Sequence, residues 1–78
     1  MYAMDAVREI AKRRGISLYR ISLDMGKTRQ YINATITNNS TPKVDTLSNM
    51  IGVCGYGLYA IADEEKDALP DTAIPINN

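Results

Sequence analysis

The chain contains no histidine and a single cysteine, Cys54, and these two shortages exclude much chemistry. No imidazole is present to activate a nucleophile, and one thiol builds neither an internal disulfide nor a Cys/His metal site of the usual ligand spacing. Gly52, Gly55 and Gly57 lack the spacing of a dinucleotide-binding loop. The expectation is a protein that is not an enzyme and has no metal and no cofactor. Long apolar runs are also missing. The longest near-apolar stretch, Ile51 to Ala62, is interrupted by glycine and too short to span a bilayer. No basic segment followed by an apolar run and a small-residue cleavage site opens the chain, so a cytoplasmic protein without membrane attachment is expected.

What remains is 78 residues, enough for one small domain. A chain of this length buries only about 60% of the surface its unfolded form exposes, so its stability is marginal and association with a second copy would help. Its net charge of zero is a sum of opposites. Residues 1–43 carry eight bases (Arg8, Lys12, Arg13, Arg14, Arg20, Lys27, Arg29, Lys43) against Asp5, Glu9 and Asp24, a charge of +5. From Val44 onward Lys66 stands against Asp45, Asp63, Glu64, Glu65, Asp67 and Asp71, a charge of −5. This pattern suits a half that faces a polyanion and an acidic tail, or simply a solvated surface.

Apolar residues then mark out helices. Ala3, Ala6, Val7, Ile10 and Ala11 recur at helical spacing, and Gly15 stops the pattern after the basic turn Lys12-Arg13-Arg14, where cations suit a helix C-terminus. Ser17 is a candidate N-cap for a second, short helix with Leu18, Ile21, Ser22 and Met25 on one face and Gly26 as a left-handed stop. Thr28 is expected to cap a third helix over residues 28–36, with Ile32 facing inward and Thr35 and Ile36 one turn later. After the polar run Thr37 to Thr41, Pro42 fits the first position of a fourth helix capped by Thr41, with Val44, Leu47, Ile51 and Cys54 as its apolar stripe and Gly55 as its end. Cys54 reads as a small buried residue rather than a sensor. Tyr56 to Ala62 alternates with a period of two, which predicts a strand; a fifth short helix is the alternative. The acidic residues after Ala62, with Pro70 and Pro75, read as a disordered tail.

Two short helices joined through one glycine, with small Ser22 four residues before Gly26 and apolar Ile32 six after it, have the spacing of a helix-turn-helix. Together with Gly15-Ile16-Ser17-Leu18, Met25-Gly26, Thr28-Arg29-Gln30-Tyr31-Ile32, Thr41-Pro42 and Asp45-Thr46-Leu47, the chain resembles the lambda-repressor-like, Cro-type (XRE) helix-turn-helix family over roughly residues 5 to 60. The resemblance implies an all-α bundle of four to five short helices with a central helix-turn-helix, to which the alternation at Tyr56–Ala62 adds a short C-terminal β-strand used in dimerisation. Residues 1–62 would then be the DNA-binding domain and residues 63–78 the acidic tail. Lys27 and Thr35 depart from the family pattern, where an aliphatic and a larger apolar residue are usual. Lys27 is expected to lay its stem along the core and send its charge to solvent or phosphate, and Ile36 to compensate for Thr35.

In such proteins the second helix of the motif enters the major groove. Carried onto this sequence, the base-facing positions are Arg29, Gln30, Asn33 and Ala34, with Tyr31 divided between groove contact and packing. Arg29 suits guanine O6/N7, Gln30 or Asn33 suits adenine N6/N7, and the Ala34 methyl suits a thymine methyl. Phosphate contacts are expected from Ser17, Arg20, Lys27, Thr28, Asn38, Ser40 and Lys43. The Arg13-Arg14 pair, behind the motif, is expected to serve the first helix instead. A lone strand needs a partner for its edge, so Tyr56, Leu58, Tyr59 and Ile61 are the candidate homodimer interface.

The expected function is a repressor-type transcriptional regulator of prophage or plasmid character that binds a palindromic double-stranded DNA operator as a homodimer. The rival is an antitoxin-like interaction module in which the acidic segment Asp63 to Asp71, anchored by Ile61, Leu69, Ile74 and Ile76, holds a basic protein partner.

Overall fold

The computed structural model describes residues 1–77, and the chain forms four α-helices followed by a 3₁₀ turn. They are α1 (Ala3–Arg14), α2 (Leu18–Asp24), α3 (Tyr31–Thr37), α4 (Val44–Gly52) and a 3₁₀ helix at Asp63–Ala68. It is a small all-α protein, and no strand occurs among the described residues. α2 packs against α3, and α4 against α1. Ile10, Ile21 and Ile32, one from each of the first three helices, meet Met50 and Ile51 of α4 in the core, all at most 2% exposed. Burying side chains of this size contributes about 1.5–3 kcal/mol each, the main force holding such short helices in place.

All four α-helices end in the same way. A left-handed residue follows each C-terminus within three positions: Gly15, Gly26, Asn39 and Gly55 have φ of 67°, 74°, 52° and 80°. In each case the next amide donates to the carbonyl five residues back and the left-handed residue's amide to the carbonyl three residues back, as in Ile16 N–H to Ala11 O at 2.9 Å and Gly15 N–H to Lys12 O at 3.2 Å. This double bond pattern satisfies carbonyls the helix leaves unpaired. Three of the four sites use glycine; at Asn39 the short polar side chain tolerates the conformation that a branched residue would resist.

Three expectations about where helices and strand lie fail in detail. The helix expected from residue 28 begins at Tyr31, and Thr28 supplies a carbonyl to Tyr31 N–H at 3.1 Å rather than a side-chain cap. α4 begins at Val44 behind an extended Lys43 (φ −64°, ψ 158°), so Pro42 lies outside the helix and Thr41 does not cap it. Proline favours an extended residue before it, and one more extended residue is needed to turn the chain into α4. Val44 is consequently solvent-facing at 69% exposure, and the buried stripe of α4 is Leu47, Met50 and Ile51, continued by Cys54.

The third failure concerns Tyr56–Ala62, which forms neither a strand nor a helix. Tyr56 folds inward against the core while Leu58, Tyr59 and Ile61 are exposed. The Tyr59 ring turns back over Gly57, where a Cβ would lie 2.7 Å from Cε2. The alternation therefore reflects a local fold-back on a residue without a side chain, and among the described residues no second segment offers a ladder.

The segment expected as a disordered tail carries the 3₁₀ turn and then returns to α1. Ile74 and Ile76 pack against the core, Arg13 donates to Thr72 O at 3.3 Å, and Asn77 N–H donates to Met1 O at 2.9 Å. The Met1 ammonium also donates to the Asn77 side-chain oxygen. Arg13 also pairs with Glu9 within α1 at 2.8 Å, and Arg14 lies 5.1 Å from the centroid of the Tyr56 ring.

Candidate nucleic-acid interface

The interface begins with the cap of α2. Ser17 is extended, and its Oγ accepts from Arg20 N–H at 3.0 Å, as its position in the sequence suggests. At the other end Gly26 N–H donates to Leu23 O at 2.9 Å and Lys27 N–H to Ser22 O at 3.0 Å, which closes the helix and reverses the chain. Gly26 is required here because its φ of 74° is costly for a residue with a Cβ.

The start of α3 is capped from a neighbouring helix. Gln30, the residue before it, makes no side-chain cap bond. Instead Ser22 Oγ of α2, wholly buried, accepts from Ile32 N–H at 3.2 Å and donates to Leu18 O at 3.0 Å. A small residue at 22 is legible in the sequence as a requirement of close helix crossing, but its bond to a residue ten positions later is a tertiary fact. One hydroxyl thus satisfies an orphan amide of α3 and locks the two helices in register.

With Ile32 buried and Ile36 packed against the core, the opposite face of the segment is open. Arg29, Gln30, Asn33 and Ala34 are all exposed there. Tyr31 is half-buried and packs against the core. Thr35 is also half-buried, and its Oγ1 donates to Tyr31 O at 3.0 Å, which removes the polar cost of a threonine at this position. Lys27 is exposed, with Nζ 5.4 Å from the centroid of the Tyr31 ring. The Arg29 guanidinium likewise lies 5.4 Å from the centroid of the Tyr19 ring of α2.

Tyr19 is the residue that reading the sequence missed. No local sequence signal marks it, because its contact with Arg29, ten positions later, exists only once α2 and the turn before α3 are packed.

The residues expected at phosphates fall into two groups. Lys27, Thr28, Asn38, Ser40 and Lys43 are exposed along the turn before α3 and the loop after it. Ser17 and Arg20 are exposed but already engaged, Ser17 as the α2 cap and Arg20 with Asp24 at 3.1 Å. Such an exposed pair is weak and its arginine is easily diverted to a phosphate. Lys27, Arg29 and Lys43 have no carboxylate within bridging distance among the described residues. Asp24 on α2 is taken up by Arg20, and Asp63, Glu64, Glu65 and Asp67 lie on the exposed 3₁₀ helix.

Among the described residues, no three His, Cys, Asp or Glu side chains gather as a metal site would need. Also among the described residues, no helix is long and apolar enough to cross a membrane. Cys54 is buried, its thiol 3.8 Å from Met50 O, and burial pushes its pKa up. Comparison of the chain with protein-family models, curated proteins and solved structures gives no match.

Proposed function

We propose that this protein is a sequence-specific, double-stranded DNA-binding transcriptional regulator of repressor type. It acts in the cytoplasm as a homodimer on a palindromic operator, with α3 and the turn before it in the major groove. The observation that carries this reading is the two-sided construction of the segment Arg29–Ile36. One side is fastened by Ile32 and by the Ser22 bond, and the other presents Arg29, Gln30, Asn33 and Ala34 to solvent. These residue types match the donor and acceptor pattern of base edges in the major groove. The surrounding cations Lys27 and Lys43, with no carboxylate partner among the described residues, supply the sequence-independent attraction to phosphate.

Homodimerisation supplies the two-fold symmetry of a palindromic site, with half-site centres about 10 base pairs, or a multiple, apart. Exposed Leu58, Tyr59 and Ile61 are available to it through side-chain contact rather than strand pairing. The antitoxin-like reading has weaker support, because two of its four apolar anchors, Ile74 and Ile76, already pack on the chain's own core. A gel-shift titration against duplex DNA from the upstream region of its own gene tests the function. Binding should weaken steeply as salt is raised, with a log–log slope of about −0.9 for each phosphate contact. Absence of salt-sensitive binding would refute the proposal.

A further inference from the structure

α3 starts at Tyr31, so Arg29 lies in the turn ahead of the helix and its direction is not fixed by helical geometry. An arginine in such a position is free to sweep through many rotamers, and ordering it on a base edge carries an entropic cost. Here the guanidinium is already lodged 5.4 Å from the centroid of the Tyr19 ring, on the neighbouring helix. Tyr19 is itself 41% exposed, so its ring stands at the surface beside the base-facing residues rather than in the core. Its backbone is held by α2, whose two ends are secured by the Ser17 cap and the Gly26 turn. No carboxylate competes for Arg29 among the described residues.

We infer that Tyr19 is a specificity-determining positioning residue, whose ring holds the Arg29 guanidinium in the orientation that reads one base of the operator. The inference rests on the DNA-binding reading above. The ring face attracts the cation through its quadrupole, while the guanidinium keeps its donors at the edge of its plane for a bidentate contact. At exposed sites this attraction corresponds to about a 2- to 5-fold preference. The effect should appear at the single base that Arg29 reads and leave phosphate attraction unchanged.

Selection from a random duplex pool with the full chain tests this, run in parallel for wild type, R29A, Y19A, Y19L and Y19F. The position whose preference collapses in R29A identifies the base read by Arg29. Preference there should fall about 2- to 5-fold in Y19A and Y19L and be retained in Y19F, with other positions and the salt slope unaltered. Y19L keeps apolar bulk on α2 without a π face, so it separates ring stacking from packing; thermal melting checks that each variant folds. An unchanged preference in Y19A and Y19L overturns the inference. So does an equal loss in Y19F, which would mean that the hydroxyl matters rather than the ring, and so does R29A altering no position. If wild type enriches no sequence at all, the DNA-binding reading itself fails and this inference falls with it.

Discussion

Replacing Ser22 with alanine removes one oxygen and leaves the close crossing of α2 and α3 sterically intact, which isolates the hydroxyl from the size of the residue. In the wild type that oxygen is the acceptor for Ile32 N–H, 3.2 Å away, at a site with no solvent access to Ser22. Alanine leaves this buried amide without a partner, at a cost of about 1–3 kcal/mol. The substitution also improves helix propensity within α2 by about 0.5 kcal/mol. The net loss is therefore about 0.5–2.5 kcal/mol, a sizeable part of the few to roughly 12 kcal/mol that a domain of this length commands. At about 4–8 °C per kcal/mol, Tm should drop by about 2–20 °C, centred near 10 °C. The assay is thermal and urea unfolding of both proteins at one fixed concentration, because any association makes Tm concentration-dependent. A Tm equal to or above that of wild type would refute the reasoning, since it would mean that the Ile32 amide finds another partner at no cost. DNA binding adds a second readout: the loss should exceed what the unfolded fraction explains, because the missing bond is the one that seats α3.

Three further outcomes are expected. Substituting Lys43 with alanine should weaken binding almost uniformly across sequences and reduce the salt slope by about 1, as measured by fluorescence anisotropy. Deleting residues 72–78 removes half-buried Ile74 and Ile76 and the Arg13–Thr72 bond, and should cost about 1.5–3 kcal/mol in urea unfolding; an unchanged midpoint would mean that the return to α1 holds nothing. Burial raises the Cys54 pKa in the folded state, so the folded chain binds the thiol proton more tightly than the unfolded one. Its contribution is fully present below the unfolded thiol value, about 8.5, and is lost as pH rises through the folded value. Unfolding midpoints above pH 8.5 should therefore fall more steeply in wild type than in a Cys54→Ala variant, and parallel profiles would contradict this.

The helical patterning of this chain is carried by short-range rules, which is why much of the bundle can be read without coordinates. Apolar residues at helical spacing mark the buried faces of α1 and α2, Ser17 caps the second helix, and Gly15, Gly26 and Gly55 lie at left-handed stops. The base-facing candidates emerge from the same logic, since anchoring Ile32 inward sends Arg29, Gln30, Asn33 and Ala34 outward. Period-two alternation misleads at Tyr56–Ala62 because a strand is defined by its partner, and none is present among the described residues. The acidic segment misleads for a related reason: composition predicts too little apolar burial, yet Ile74 and Ile76 find a surface on the core that only the assembled helices create.

The sequence by itself determined four short helices before Tyr56, a glycine-centred turn, a basic half and an acidic half. These depend on residues within a few positions of one another, where periodicity, capping and backbone preference act directly. Tertiary structure alone decided that Ser22 rather than Thr28 caps α3, that Arg29 rests on Tyr19, and that the C-terminus closes onto α1. Each joins groups ten or more positions apart, and such contacts exist only after the helices have packed and brought otherwise independent stretches within hydrogen-bonding or van der Waals reach.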